Sequence, residues 1–234
     1  MSEEYKFQQT IGQLKKKAFS LADFLILFFV AIIFITFIQS INRPVITNKL
    51  AAAGEIDVSK DPVQTATTAS FASPIKKTIH DRTYKLYPQA DYKIAGIVVG
   101  KNTFFMLDGG AEIAPIDIGL AWGKMAEPEY DKHMSYHSSG RYLSWHYKPE
   151  FPFTYQFLNS HASHNHIIPA GDNILKALKS LKNKEKVYME GYLVNVKEKE
   201  TYSWHTSLSR HDTEAGACEV FYVKKVRIGN KVYE

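Results

Sequence analysis

The feature that most constrains this chain is the run from Phe24 to Ile38, FLILFFVAIIFITFI, fifteen residues whose single polar member is Thr36. With Leu21, Ala22 and Ile41 at its ends, the run reaches about 20 residues tolerable to lipid, close to what a helix needs to cross ~30 Å of hydrocarbon. Lys15, Lys16 and Lys17 stand before it, and only Arg43 and Lys49 follow closely. The positive-inside bias then keeps the N-terminus cytoplasmic and sends the C-terminal bulk across the membrane. Residues 1–19 are expected as a cytoplasmic tail and 20–41 as a transmembrane signal anchor. A cleaved signal peptide competes, but Ile38-Gln39-Ser40-Ile41-Asn42-Arg43-Pro44 offers no small-residue cleavage site. A buried soluble helix is the third reading.

The remainder is close to neutral. The 234 residues include 29 basic and 24 acidic ones, a net charge of +5, and setting aside residues 1–43 leaves +3. That is too mild for a nucleic-acid footprint, and no nucleic acid is expected as a partner. The single cysteine excludes an intramolecular disulfide framework and any zinc site built of cysteines alone. Aromatic residues at 13% supply the core of one sizeable domain.

Residues 42–75, rich in Ala, Ser and Thr, read as a linker, and 76–234 as a β-rich extracytoplasmic domain. In that domain Tyr92 to Val99 and Thr103 to Leu107 read as a hairpin turning at Gly100-Lys101-Asn102, followed by a turn at Asp108-Gly109-Gly110. Further strands are expected within Ile113 to Trp122, at Arg141 to Tyr147, Lys186 to Val196, Thr201 to Leu208 and Cys218 to Ile228. Gly191 suggests a bulge or a sharp bend in the middle of its strand, the device that lets one strand serve two sides of a small barrel. Asp172 to Lys182 is the clearest helix: Ile174, Leu175, Leu178 and Leu181 form one stripe, Asp172 or Asn173 caps it, and Lys176, Lys179 and Lys182 form a solvated face. The fold class is therefore α+β and mainly β: a transmembrane helix, a linker and a small OB-like barrel-type domain with one main helix.

Two segments could carry chemistry. His161, His164 and His166 lie within six residues, and on an extended strand His164 and His166 share a face, as two ligands of one zinc can. His133 and His137 could add ligands from a helical turn. Unligated loop histidines remain the plainer reading, and no metal or other cofactor is assigned. The second segment runs from Trp204 to Glu219. Cys218 with His166 or His211, oriented by Asp212 or Glu219, has the residue types of a cysteine nucleophile. The plainer reading makes Cys218 a small buried filler and pairs Arg210 with Asp212. A serine triad of His205, Ser207 and Asp212 is weaker, because neighbours on one strand rarely present nucleophile and base to each other. Nine aromatics between Tyr130 and Phe157, Trp145 among them, could form a stacking face or simply pack.

The string His166-Ile-Ile-Pro-Ala170, then Val187-Tyr-Met-Glu-Gly191-Tyr-Leu-Val194, then Trp204 with Ser207-Leu-Ser-Arg210-His-Asp212-Thr213 and Gly216-Ala-Cys218-Glu219, resembles a family of uncharacterised bacterial membrane-anchored envelope proteins. Ala121-Trp122-Gly123 and Gly140-Arg141-Tyr142 extend the resemblance over roughly Asp91 to Val226, while Glu214 departs from the glycine expected there. The resemblance implies a short anchor and one compact exported domain, and it carries no activity. It also implies that His166, Trp204, Arg210, Asp212, Cys218 and Glu219 form any functional cluster, while His161 and His164 are particular to this chain.

The expected function is that of a single-pass inner-membrane protein whose periplasmic domain binds an envelope protein, a glycan or a peptide, with Trp145, His166, Trp204 and Arg210 as ligand contacts. A homo-oligomer is compatible with this. The alternative is a periplasmic hydrolase or transferase using Cys218 and His166, or a histidine-held metal.

Overall fold

A computed structural model describes residues 21–49, 54–67, 73–104, 110–199, 202–212 and 217–234. It divides into two units, Met1–Arg43 and Pro44–Glu234. In the first, the apolar run is helix α1, Leu21–Ile41, whose 21 residues span about 31 Å at ~1.5 Å each. None of its residues is buried. The Thr36 hydroxyl donates to the Ile33 carbonyl oxygen at 2.9 Å, so the lone polar group in the run is satisfied within the helix. This is one N-terminal helix long and apolar enough to cross a membrane.

The second unit is mainly β. Its elements are β1 (Asn48–Lys49), β2 (Val63–Ala66), β3 (Ile75–Ile79), β4 (Arg82–Thr103), β5 (Ile116–Ala121), α2 (Pro128–Asp131), β6 (Met134–Ser139), β7 (Tyr142–Tyr147), α3 (Tyr155–Ser160), β8 (Ala162–Pro169), α4 (Asp172–Ser180), β9 (Lys186–Glu198), β10 (Tyr202–Trp204), β11 (Glu219–Ile228) and β12 (Lys231–Tyr233). Five strands pair in a ring. β4 is antiparallel to β5, β5 antiparallel to β8, β8 parallel to β11, β11 antiparallel to β9, and β9 antiparallel to β4. β2 and β3 pair with β4, β10 with β9, β12 with β11 and β1 with β12. β6 and β7 form a separate hairpin.

Alternation along each strand decides what faces the core. Ile116, Ile118 and Leu120 of β5 join Ile167 of β8 and Phe221 and Val223 of β11 in the main cluster. Helix α4 adds Ile174, Ala177 and Leu178, with Leu181 just beyond its end. Burying a side chain such as Ile174 or Leu178 contributes about 1.5–3 kcal/mol relative to leaving it in water.

Four expectations are corrected. The hairpin at Tyr92–Leu107 is absent among the described residues: β4 runs straight through Gly100-Lys101-Asn102, and Gly100 pairs with Gly119 of β5. Residues 105–109, including most of the Asp108-Gly109-Gly110 turn, lie outside the described residues. The supposed linker 42–75 supplies β1, β2 and the first residue of β3, and it buries Ile56 and Val58, two anchors rather than spacers. Gly171, not Asp172 or Asn173, is the N-cap of α4. The Asn173 side chain instead accepts from the Val45 backbone N–H at 2.6 Å and donates to the carbonyls of Val45 and Glu234, which fastens both ends of this unit.

The fourth correction concerns Gly191. The bulge lies in the partner strand, where the register of β11 shifts between Val223 and Lys225. Gly191 pairs with Tyr92 of β4 on one side and Val223 of β11 on the other. A Cβ added there would stand 1.9 Å from the Tyr222 carbonyl oxygen, a clash with backbone that no rotamer relieves. We expect Gly191→Ala to destabilise the chain by about 3 kcal/mol or more in urea unfolding of the detergent-solubilised protein. Gly54→Ala, where nothing lies within 4 Å of the added Cβ, should leave the midpoint nearly unchanged.

Candidate functional site

The candidate site forms where β5, β8 and the start of β11 lie side by side, and strand alternation sorts its residues onto two faces. On the outer face, Asp117 of β5 is directly opposite His166 of β8, and Gly119 is opposite His164. The parallel register of β8 with β11 pairs Asn165 with Glu219, which brings Cys218, the residue before β11, beside His164. Asp117 is fully buried and both imidazoles are nearly so.

Asp117 is the hub of this face. Its Oδ1 lies 3.0 Å from an Arg141 guanidinium nitrogen and 3.0 Å from His166 Nδ1, while Oδ2 lies 3.7 Å from His164 Nε2. Arg141 also donates to the Ala114 carbonyl at 3.1 Å and stacks over Phe104 and Trp204. Trp204 in turn packs on His166, with ring centroids 4.8 Å apart. His164 Nδ1 faces Cys218 Sγ at 3.4 Å. Burial pushes the His164 imidazole down to about 4 against the pull of Asp117, so it is neutral at pH 7. Burial pushes the Cys218 thiol up to about 12, and Glu219, Asp117 and Asp212 add to the shift. The thiol alone is therefore a poor source of thiolate nucleophile.

On the inner face, Glu219 is buried beside Arg210. An Arg210 nitrogen lies 3.1 Å from Glu219 Oε1, another donates to the Tyr92 hydroxyl at 2.7 Å, and the guanidinium stacks over Tyr92 and Trp122. Burial raises the Glu219 carboxyl to about 7 although Arg210 opposes it.

Between these groups and the β6–β7 hairpin lies a cleft of about 360 Å³. Its floor includes His164, Arg210, Asp212, Cys218 and Glu219, and its wall includes Tyr142, Trp145 and Tyr155. The hairpin is pegged by Leu143. A Cβ on Gly119 would come within 2.7 Å of that side chain and one on Gly100 within 2.9 Å, so two facing glycines leave the socket it fills.

Several expectations change here. His161 is outside the cluster: it stacks on Phe157 at 3.9 Å, and its Nδ1 contacts the Phe157 carbonyl. His133 and His137 lie before and within β6 rather than on one helical turn, and do not join the group of ligand-type atoms, which among the described residues comprises His164, His166 and Cys218. His164, set aside by the family resemblance, is the histidine that meets Cys218, in place of His166 or His211. Arg210 pairs with Glu219 instead of Asp212, which accepts from the Ser207 hydroxyl at 2.6 Å. His205 contacts Ser203 rather than Ser207, so no serine triad forms. Of the four expected ligand contacts, Trp145 and Arg210 line the cleft, while His166 and Trp204 pack together.

Asp117 was missed, and its signal was a lone carboxylate inside the apolar run Ile113 to Trp122. Arg141 and Tyr92 carried no such mark. Residues 213–216, which include Glu214, lie outside the described residues. Comparison with protein-family models, curated proteins and solved structures finds no match for this chain.

Two predictions test these electrostatics. Arg141→Met strands the buried Asp117 charge and should cost about 3–5 kcal/mol in urea unfolding; adding Asp117→Asn should recover more than half of that. The second is a pH signature. Glu219, at 4.5 unfolded and about 7 folded, holds its proton longer in the folded state, so its contribution to stability falls as pH rises over that window. His164, at 6.5 unfolded and about 4 folded, binds its proton more readily when unfolded, so its contribution rises between those values. The two oppose each other between about pH 4.5 and 6.5. With chelator present, Glu219→Gln should make unfolding free energy climb more steeply with pH there, and His164→Asn should make it fall.

Proposed function

We propose that this chain is a single-pass, membrane-anchored binding protein of the bacterial envelope, with the N-terminus cytoplasmic and the β-rich unit in the periplasm. The lysines before α1 and the resemblance to anchored envelope proteins support that orientation. We also read the ring of five strands as an OB-type barrel. In chain order its third and fifth strands, β8 and β11, are the parallel pair, and α4 falls between the third and the fourth. The face of the second and third strands and the loop between the fourth and fifth, where OB barrels take ligands, carry Asp117, His164, His166 and Arg210 here.

The observation that carries the binding reading is the cleft itself. Its volume lies within the range of small-ligand sites. Its wall holds Tyr142 and Tyr155 at 67% and 52% exposure, with the Trp145 ring tilted against Tyr155. Aromatic faces held in water beside polar groups suit a sugar ring or a peptide side chain. On the floor Arg210 is engaged by Glu219, and Asp212 accepts from the Ser207 hydroxyl, so an uncharged ligand fits better than a strongly anionic one. A hydrolase or transferase using Cys218 as a free thiol is the weaker reading, given the raised thiol.

Photo-crosslinking in intact cells tests this. A photoreactive aromatic amino acid in place of Tyr142 or Tyr155 should give a discrete adduct. The same group at Lys231, exposed on β12 and outside the cleft lining, should not. Recovery of the unmodified chain alone from Tyr142 and Tyr155, or equal adducts at all three positions, would overturn the proposal.

A further inference from the structure

We propose that His164, His166 and Cys218 bind one zinc ion, with its remaining coordination position facing the cleft. The inference goes beyond the binding role above and does not rest on it.

One ligand-type atom from each of the three residues lies within 4.8 Å of the other two. A tetrahedral zinc at ~2.0–2.1 Å from nitrogen and ~2.3 Å from sulfur holds neighbouring N and S atoms about 3.5 Å apart. His164 Nδ1 and Cys218 Sγ are 3.4 Å apart. The two imidazoles come from alternate residues of β8, on one face with ring centroids 4.9 Å apart, so strand geometry rather than a loop fixes their spacing. His164 and Cys218 both line the cleft, which gives an ion access from solvent and leaves room for a water or ligand beside it.

The surroundings supply the second observation. Buried Asp117 Oδ2, His164 Nε2 and His166 Nδ1 each lack a hydrogen bond of good geometry, although they face one another across Asp117. Unmet polar atoms in the interior are costly, and a cluster of them calls for an explanation. An ion on His164 Nδ1 and His166 Nε2 would leave the ring protons on His164 Nε2 and His166 Nδ1, the nitrogens that face Asp117, so that donors there meet a carboxylate acceptor. Histidine ligands of zinc habitually turn their other nitrogen to a carboxylate, and Asp117 stands behind both imidazoles at 3.0 and 3.7 Å. With Nδ1 of His166 turned to Asp117, Nε2 is the nitrogen that residue presents. Arg141 balances Asp117, which can then orient the ligands without itself entering the first shell.

The donor set selects the metal. Two imidazoles and a thiolate suit zinc or copper and not magnesium or calcium, which take oxygen ligands. Among these, zinc accepts three protein ligands plus water without a redox partner. As the Zn–S bond forms, the Cys218 proton passes to solvent, so one proton leaves per ion bound.

The test uses the full-length chain in detergent, stripped with chelator and titrated with zinc or with cobalt(II) as a spectroscopic substitute. One ion per chain is expected, with one proton released, protection of Cys218 from alkylation by N-ethylmaleimide, and a near-ultraviolet thiolate-to-cobalt charge-transfer band. Cys218→Ser should abolish that band. Asp117→Asn should weaken zinc about 10–100-fold while the stoichiometry stays at one. Because alkylation protection is read on the unaltered chain, the test holds even where a variant misfolds. Absence of stoichiometric zinc binding, no protection of Cys218, or a charge-transfer band that survives Cys218→Ser would overturn the proposal. So would tight copper(I) binding that zinc cannot match. Crosslinking at Tyr142 and Tyr155 is read separately, so failure of the metal site and failure of the binding role are distinguishable.

Discussion

Everything built on the second unit depends on one close approach, that of the Gly191 backbone to the Tyr222 carbonyl. β9 can pair with β4 along one edge and β11 along the other only because Gly191 brings no side chain to the crossing. The register slip between Val223 and Lys225 absorbs the extra residue at the same place. On its other edge β11 pairs in parallel with β8. That parallel register sets Cys218 beside His164 and Glu219 beside Asn165.

Two ionic groups share those strands and are handled differently. Asp117 on the outer face is held by Arg141, with the His166 and His164 imidazoles as its remaining neighbours. Glu219 on the inner face has Arg210, yet burial still lifts its carboxyl into the neutral range. Removing one partner of either pair leaves a charge without solvent, whereas a matched exchange of both partners need not. The aromatic rings of Trp204, Tyr92 and Trp122 lie against the two guanidiniums and keep them desolvated at low cost, because stacking replaces part of their hydration.

How much of this was legible in the sequence depended on what signal each residue leaves. Alternation in Lys186 to Val196 and Cys218 to Ile228, and the stripe of Ile174, Leu175 and Leu178, are periodic, and those elements appear almost as read. Glycine is ambiguous. Gly100 looks like a turn residue, but its use here is to leave space for Leu143, a partner more than forty residues away. Ile56 and Val58 are single anchors in a polar stretch and show no period, so the stretch reads as a spacer. In the site, the alternate spacing of His164 and His166 was visible, whereas their meeting with Asp117 and Cys218 depends on strand order, which no local pattern encodes. Arg210 and Asp212 illustrate the same point: two residues apart in sequence, they face different partners because the loop turns between them.

The hairpin that walls the cleft also carries the counter-charge of the site. Arg141 sits at its turn, between β6 and β7, and reaches Asp117 across the gap, while Leu143 locks into β4 and β5 two residues on. Wall and floor are thus electrically wired together. A ligand that pries the hairpin outward to make room would pull the cation from Asp117 and leave both imidazoles facing an unbalanced carboxylate. Moving the hairpin would therefore change the field at His164, which lines the cleft, and at His166 beside it.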